Sequence, residues 1–368
     1  MNNIKSGNYG KLIAFLFIAV IFLCVFGFAA EGWQAETPNE PDSGEVVAGK
    51  DDGADENKDG NTTEDAEPEV YVPKHTNPLT GIECDAKTEQ THHTAFVLDT
   101  GAPLYGASYA DVAIEFPVED GGTRLVAFVS DVNALGKVGS LAPTRGYISN
   151  LTNPFGAVLV ALGCDDKITY VHTDLSAAFL DLSKSTGYHY TEYTHFNYSN
   201  GHLINAGLAN SGLGATSEAT LPYLFTDYGA TEVRGGTACS GVLIPYSAGS
   251  QTELKYSASD RTYSYSKNGI CKTDMLTDKS IDFDNVFILF ADAVTYETAT
   301  ATQMILNTQT EGFGYYLTGG TSSYITWASD ENGGYVFYNE SGEPLTVNRG
   351  TSYISFVKSS MSTDVKFY

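Results

Sequence analysis

The feature that most constrains the fold is a double glycine set between two strand-like runs. Residues 110–116 and 125–129 are mostly apolar, and Gly121-Gly122 lies between them. Glycine has no Cβ and readily adopts positive φ, so this pair suits a tight turn between antiparallel strands. The sequence therefore predicts a β-hairpin, with Arg124 at the start of the outgoing strand.

Four charged residues cluster around this hairpin, namely Glu115, Glu119, Arg124 and Arg145. A guanidinium group binds a carboxylate or phosphate through two parallel hydrogen bonds. One interpretation brings both arginines into a single cleft, held there by Glu115 or Glu119, as a binding site. The alternative is a set of salt bridges that pin the hairpin to the next element. In a third interpretation, Glu115 and Glu119 are the acid and the nucleophile of a glycosidase. A strand would separate the two carboxylates by roughly 13 Å, which is too far for that reaction.

Charge and length limit the classes of partner. The chain has 368 residues and a formal net charge of −25. Such an acidic surface repels phosphate backbones, so the sequence argues against nucleic acid as a partner. A high negative charge is also a common way for a protein to stay soluble. The length suggests about two domains.

An uncharged apolar run occupies residues 12–30, with Lys5 and Lys11 before it and Glu31 after it. Nineteen residues can span a bilayer, and the positive flank predicts that the rest of the chain is exported. We therefore expect a single-pass anchor in the cytoplasmic membrane with the bulk of the protein outside.

Two alternatives to an uncleaved anchor stay open. Small residues at Ala29 and Ala30 allow cleavage as a signal peptide, which would give a secreted protein. Cys24 could carry a lipid, but Leu23 stands where lipidation signals require a small residue.

Residues 31–76 are expected to form a disordered acidic linker. Positions 31–74 hold fourteen Asp and Glu against three Lys. With few apolar side chains to offset the entropy of ordering, such a segment stays extended by charge repulsion.

The predicted class is α+β, with a mixed α/β layered domain over 77–230 followed by a mostly-β domain over 231–368. In the first domain, helices are expected at 144–151, 174–182, 200–212 and 217–225, around a buried strand at 155–163. In the second, strands are expected at 241–246, 252–257, 261–266, 286–290, 313–318, 323–327, 335–338 and 351–357.

Cysteines and histidines give no metal motif, so no metal site and no cofactor are expected. Export allows disulfides, and the first pairings to consider are Cys239–Cys271 and Cys84–Cys164, against four free thiols. Tyrosines cluster at Tyr188, Tyr190, Tyr193 and Tyr198, among polar histidines at His172, His189, His195 and His202. Exposed tyrosines could bind a protein or a sugar, whereas buried tyrosines would pack in the core.

Several separated motifs resemble the YerB-like family of bacterial surface lipoproteins, over nearly all of 77–358. They are Asn77-Pro-Leu-Thr-Gly81, Ser108-Tyr-Ala-Asp111, Glu115, then Glu119 to Arg124, and Val138-Gly139 with Arg145. The resemblance adds Asp111 to the candidate binding residues and implies export and a two-part fold, but no reaction. The family's first arginine in the later motif is Ala142 here.

The sequence thus favours an exported, membrane-tethered surface protein without catalytic activity, which acts as a binding or scaffold module. Its expected partner is a cell-envelope protein or glycan, together with the membrane through residues 12–30. The alternatives are an envelope-polymer hydrolase using Glu115 or Glu119 with Arg124 and Arg145, and a receptor for an anionic small solute.

Overall fold

The computed structural model describes residues 45–46, 70–164, 178–185, 187–192, 195–213, 219–329 and 334–368. The predicted membrane segment at 12–30 and most of the predicted linker lie outside these residues. Within the described ranges, no helix is both long enough and apolar enough to cross a bilayer.

β-Strands dominate the described residues, and the three α-helices there are short. The helices are α1 (Ala86–Gln90), α2 (Ile148–Thr152) and α3 (Gly201–Asn210). A main sheet has fourteen strands: β3 (His93–Asp99), β4 (Val112–Pro117), β5 (Thr123–Val129), β6 (Val138–Leu141), β7 (Ala157–Ala161), β8 (Phe179–Asp181), β9 (Tyr190–Thr191), β10 (Asn197–Ser199), β12 (Thr237–Ala238), β18 (Asn285–Ala291), β21 (Glu311–Thr318), β22 (Thr321–Ser329), β23 (Tyr335–Tyr338) and β25 (Ser352–Lys358).

A second sheet has six strands: β13 (Gly241–Ser247), β14 (Ser250–Ser257), β15 (Thr262–Lys267), β16 (Ile270–Cys271), β17 (Asp282–Phe283) and β26 (Lys366–Phe367). Three two-stranded pairs complete the described elements: β1 (Glu45–Val46) with β2 (Tyr71–Val72), β11 (Leu224–Phe225) with β24 (Thr346–Val347), and β19 (Ala293–Glu297) with β20 (Thr302–Leu306).

Strand β25 joins the two parts of the chain. It lies between β18 and β4 and pairs parallel with both. The main sheet therefore runs without interruption from strands of 77–230 to strands of 231–368. Both faces of its centre are covered, which is why β4 and β18 are almost entirely buried.

The predicted hairpin is confirmed. Strands β4 and β5 pair antiparallel, and Val118 N donates to Gly122 O at the turn. Gly121 has a φ of 82°, a conformation that side chains with a Cβ rarely adopt.

The mostly-β character of the second part is confirmed, because each of its predicted strands overlaps an observed one. The helix expected at 200–212 is also present, and the Asn200 side chain caps it by accepting from Leu203 N. The predicted linker over 31–76 is wrong in part. Tyr71 donates to Glu83 and Thr76 bridges Glu83, so the chain joins the folded body before residue 77. Glu45–Val46, also within the predicted linker, forms β1 and pairs with β2.

Two predicted helices are wrong in their described residues. Phe179–Asp181 forms β8, which pairs parallel with β7, and Leu224–Phe225 forms β11. Short apolar runs fit either a helix or a strand, and here pairing with a distant strand decides between them. The helical layer is consequently smaller than expected.

Candidate functional site

Glu115 is a fully buried carboxylate between the main sheet and the second sheet. Lys267, at the end of β15, donates to its Oε1 at 2.7 Å. Three hydroxyl groups also donate to it, from Thr123 at 2.5 Å, Thr252 at 3.0 Å and Tyr353 at 2.6 Å. A buried charge is tolerated only when it is paired and hydrogen-bonded, and this arrangement meets both conditions.

The electrostatics follow from this pairing. Burial acts to raise the pKa of Glu115, but the Lys267 ammonium and the hydrogen bonds outweigh it and lower that pKa. Burial, and then the Glu115 charge, raise the pKa of Tyr246, Tyr265 and Tyr353 well above the ordinary value. Glu115 is therefore held ionised among neutral tyrosines.

Glu119 and Arg145 form a second buried ion pair. Arg145 Nε donates to Glu119 Oε1 at 3.1 Å and Nη2 donates to Oε2 at 2.8 Å. Burial acts to raise the pKa of Glu119, but Arg145 outweighs it and lowers that pKa. Since Glu119 lies in the hairpin turn, this two-pronged contact ties the turn to the segment that leads into α2.

Arg124 has different partners. Its Nη1 donates to Thr123 O at 3.1 Å and lies 3.4 Å from Asp99 Oδ1. Its Nε is buried and has no hydrogen-bond partner among the described residues. Arg124 and Arg145 thus contact separate carboxylates, and Glu115 pairs with a lysine, so the two arginines do not meet on one glutamate.

An open cavity of about 170 Å³ adjoins Arg124. The end of β3, the hairpin turn and the turns that flank β14 and β15 bound it. Asp99, Asp120, Ser250 and Lys267 are among its lining residues. Of the five predicted site residues, Arg124 alone lines this cavity.

Asp111 is hydrogen-bonded to the motif Asn77-Pro-Leu-Thr-Gly81, with which the folded part begins. Its Oδ1 accepts from Asn77 Nδ2 at 2.8 Å, and its Oδ2 accepts from Ser130 N at 2.8 Å. Burial raises the pKa of this carboxyl, although the bonds from Ser130 and Asn77 oppose the rise. These contacts fasten the turn at Asn77 to the main sheet.

The sequence did not single out Lys267, which is a site residue, or Asp274, which is a buried structural carboxylate. Asp274 accepts from Gly106 N at 3.0 Å and from Ser108 N and Oγ at 2.8 Å each. The signal for Lys267 was present, because Tyr263, Tyr265 and Lys267 alternate along β15 and so share its buried face.

Tyr198 of the predicted tyrosine cluster packs against a lysine, together with Tyr105. The Lys137 ammonium lies 4.0 Å from the centre of the Tyr105 ring and 3.9 Å from that of Tyr198. Glu192 accepts from it at 2.8 and 2.9 Å, and the Tyr190 ring lies tilted beside Tyr198, with the ring centres 6.1 Å apart. Tyr198 is buried, so packing accounts for it better than an exposed contact surface does.

Tyr193 and His172 lie outside the described residues. Tyr188 accepts from Asn210 Nδ2 at 2.7 Å. Among the described residues, no group of histidines, cysteines and carboxylates could hold a metal ion.

The pairings considered for the cysteines are wrong. Cys84, Cys164, Cys239 and Cys271 are all free thiols. Cys24 lies outside the described residues.

Comparisons with known proteins agree with this architecture. The N-terminal domain described as "Protein of unknown function (DUF3048)" matches residues 79–213, and the corresponding C-terminal domain matches residues 242–354. "Putative lipoprotein YerB" of Bacillus subtilis (strain 168) is 26% identical over 226 residues, which are 58% of this chain and 66% of that relative.

A solved structure shares the fold. The crystal structure of YerB protein from Bacillus subtilis matches with a TM-score of 0.68 and 22% identity, and the match covers 80% of this chain and 100% of that one. At this identity the likeness concerns the arrangement of strands and not the ligand.

Proposed function

Since this chain belongs to the DUF3048 family of unknown function, we propose that it is an exported, membrane-tethered surface protein that binds a partner and catalyses no reaction. The relative's description as a lipoprotein supports attachment outside the cytoplasmic membrane. Attachment runs through residues 12–30, either as a retained anchor or through a lipid on Cys24. The proposed partner is a protein or glycan of the cell envelope.

The observation that weighs most against catalysis is the way in which the two glutamates are used. Glu115 is 0% exposed and Glu119 is paired through both oxygens with Arg145. A glycosidase acid must reach the substrate's leaving-group oxygen, and its partner must face the sugar ring. A buried carboxylate and a carboxylate paired with an arginine stabilise the fold and are not free to act on a sugar. This weighs against the hydrolase alternative.

Turnover assays test this role. The purified full-length protein is incubated with peptidoglycan, soluble glycans and peptides, and released products are measured by mass spectrometry. We expect no products above those from heat-denatured protein. Turnover that disappears in Arg145→Ala but persists in the exposed-site variant Arg234→Gln would overturn the proposal.

Localisation is tested separately. A C-terminal epitope tag on intact cells should be removed by added protease, and the tagged protein should sediment with membranes. A tag that stays protected until the cells are lysed would contradict export.

A receptor for a small anionic solute is the second candidate. The cavity beside Arg124 favours it, because Arg124 Nε is a buried donor with no partner in the described part of the chain. Thermal-shift screening of small anions tests it, since a ligand that binds only the folded state raises the melting temperature.

A further inference from the structure

Two residues that line the cavity beside Arg124 each carry a buried polar atom with no partner among the described residues. These atoms are Arg124 Nε and the Oγ of Ser250, whose residue is only 5% exposed. A buried donor without an acceptor is costly, so such atoms are rare unless a ligand or water completes them. Both are donors, and together they suit a carboxylate, which accepts through two oxygens.

The same cavity also presents two carboxylates, from Asp99 and Asp120. In each, Oδ1 accepts a hydrogen bond from a nearby backbone, Gly101 N for Asp99 and Gly122 N for Asp120, both at 2.9 Å. Arg124 lies 3.4 Å from Asp99 Oδ1. These local bonds orient the two carboxylates, and ionised carboxylates are acceptors for an ammonium group.

The lining carries charges of both signs. Lys267 also lines the cavity, but its ammonium is used by Glu115, Thr123 and Thr252. The lining thus offers Arg124 beside Asp99 and Asp120, and the presence of both signs suits a ligand that carries one charge of each sign.

The walls are held in place before any ligand arrives. Asn268 Oδ1 accepts from Gln251 N at 2.8 Å, and Asn268 Nδ2 donates to Gly249 O at 3.1 Å. These bonds fix the turn that carries Ser250. The volume of about 170 Å³ is smaller than the roughly 300 Å³ at which sites for drug-sized ligands begin, so the ligand must be small.

The geometry points to a binding site for a zwitterionic α-amino acid group. Its carboxylate accepts from Arg124 Nε and Ser250 Oγ, and its ammonium donates to Asp99 and Asp120. The group comes either from a free amino acid or from the diamino acid of a cell-wall peptide, whose side chain ends in the same pair of charges. This inference rests on the proposed binding role and narrows the second candidate, because the ligand is zwitterionic instead of simply anionic.

Calorimetric titration of the full-length protein with glycine and alanine tests the site, with acetate and methylamine as probes that carry one charge each. We expect the two amino acids to bind with a Kd of about a millimolar or less, and the single-charge probes to bind about tenfold more weakly, since each lacks one charged contact. Acetate that binds as tightly as alanine would overturn the inference.

Variants assign the contacts. Arg124→Gln and Asp99→Asn should each weaken alanine binding about tenfold. Arg234→Gln, whose side chain is 64% exposed elsewhere, should leave it unchanged.

Ser250→Ala is the decisive variant if Arg124→Gln unfolds. It removes a hydroxyl that the described fold does not use, so it should weaken alanine binding without lowering the melting temperature. Unchanged alanine affinity in this folded variant would overturn the assignment of Ser250 and the inference with it.

Co-sedimentation with isolated cell walls distinguishes the two sources of the group. Sedimentation that free alanine competes away indicates the cell-wall peptide, whereas alanine binding without sedimentation indicates a free amino acid. A folded protein that binds neither glycine nor alanine overturns this inference alone. The proposed function fails instead on turnover or on a tag that is protected in intact cells.

Discussion

The Lys267 ammonium lies 2.7 Å from the Glu115 carboxylate, and 152 residues of chain separate the two. Glu115 belongs to the main sheet and Lys267 to the second sheet, so the ion pair bridges the sheets inside the body. Both side chains are almost completely buried. The pair therefore matters less as a source of net stability than as a constraint, because neither charge can be left alone.

Removing one partner of this pair should be strongly destabilising. We expect Lys267→Met to lower the free energy of unfolding by about 3–5 kcal/mol, because it leaves the buried Glu115 charge without its partner. The double variant Glu115→Gln/Lys267→Met should recover much of that loss, as measured by denaturant unfolding. Lys184→Met, at a lysine whose side chain is 81% exposed, is the control. Equal stabilities of the single variant and the control would refute the proposed constraint.

Acid should destabilise the fold through Glu115 and Glu119. Both have a lowered pKa in the folded state, so the stability that they confer is fully present above the unfolded value of about 4.3 and is lost as pH falls through the folded pKa. Asp111 acts in the opposite direction. Its pKa is raised in the folded state, so protonating it as pH falls stabilises the folded chain relative to the unfolded one.

Glu119→Gln isolates one of these contributions. Its stability deficit relative to the natural chain should be largest near pH 7 and should shrink as pH falls through the lowered folded-state pKa, because the carboxylate that it lacks is then protonated in the folded and the unfolded state alike. Urea unfolding at several pH values measures this difference. A deficit that grows as pH falls would contradict the lowered pKa.

Gly201, at the start of α3, permits a close approach to the backbone. A Cβ built there would lie 2.0 Å from Val132 O, which cannot move aside as a side chain can. We expect Gly201→Ala to lower the free energy of unfolding by about 1–3 kcal/mol or more. Gly236→Ala, where a Cβ would meet nothing within 4 Å, should change it by less than about 0.5 kcal/mol. Similar losses in both variants would mean that α3 can shift away from Val132.

The free thiols should differ in reactivity. Cys271 is exposed, whereas burial, with Glu89 and Asp85 adding to it, raises the pKa of Cys84 to about 11. Because the thiolate is the reactive form, iodoacetamide should modify Cys271 before Cys84, as followed by peptide mass spectrometry. A reducing agent should leave the melting temperature unchanged. A fall in melting temperature on reduction would reveal a disulfide among these cysteines.

Local patterns in the sequence determined much of the strand content. The double glycine predicted the β4–β5 hairpin, and β23 lies at Tyr335–Tyr338 as its apolar and aromatic run predicted. Asn200 signalled the start of α3 through its capping side chain. These features depend on neighbours a few residues apart, so they can be read without knowing the rest of the fold.

Only the tertiary structure decided which charged residues meet. The sequence placed Glu115 beside arginines, but Lys267 reaches it from the second sheet, and Arg124 turns to Asp99 instead. Segment 179–181 became a strand because β7 was available to pair with it. Pairing between distant strands and the burial of a charge depend on the whole packed chain. A single sequence read locally therefore specifies the elements, but not the partners that they find.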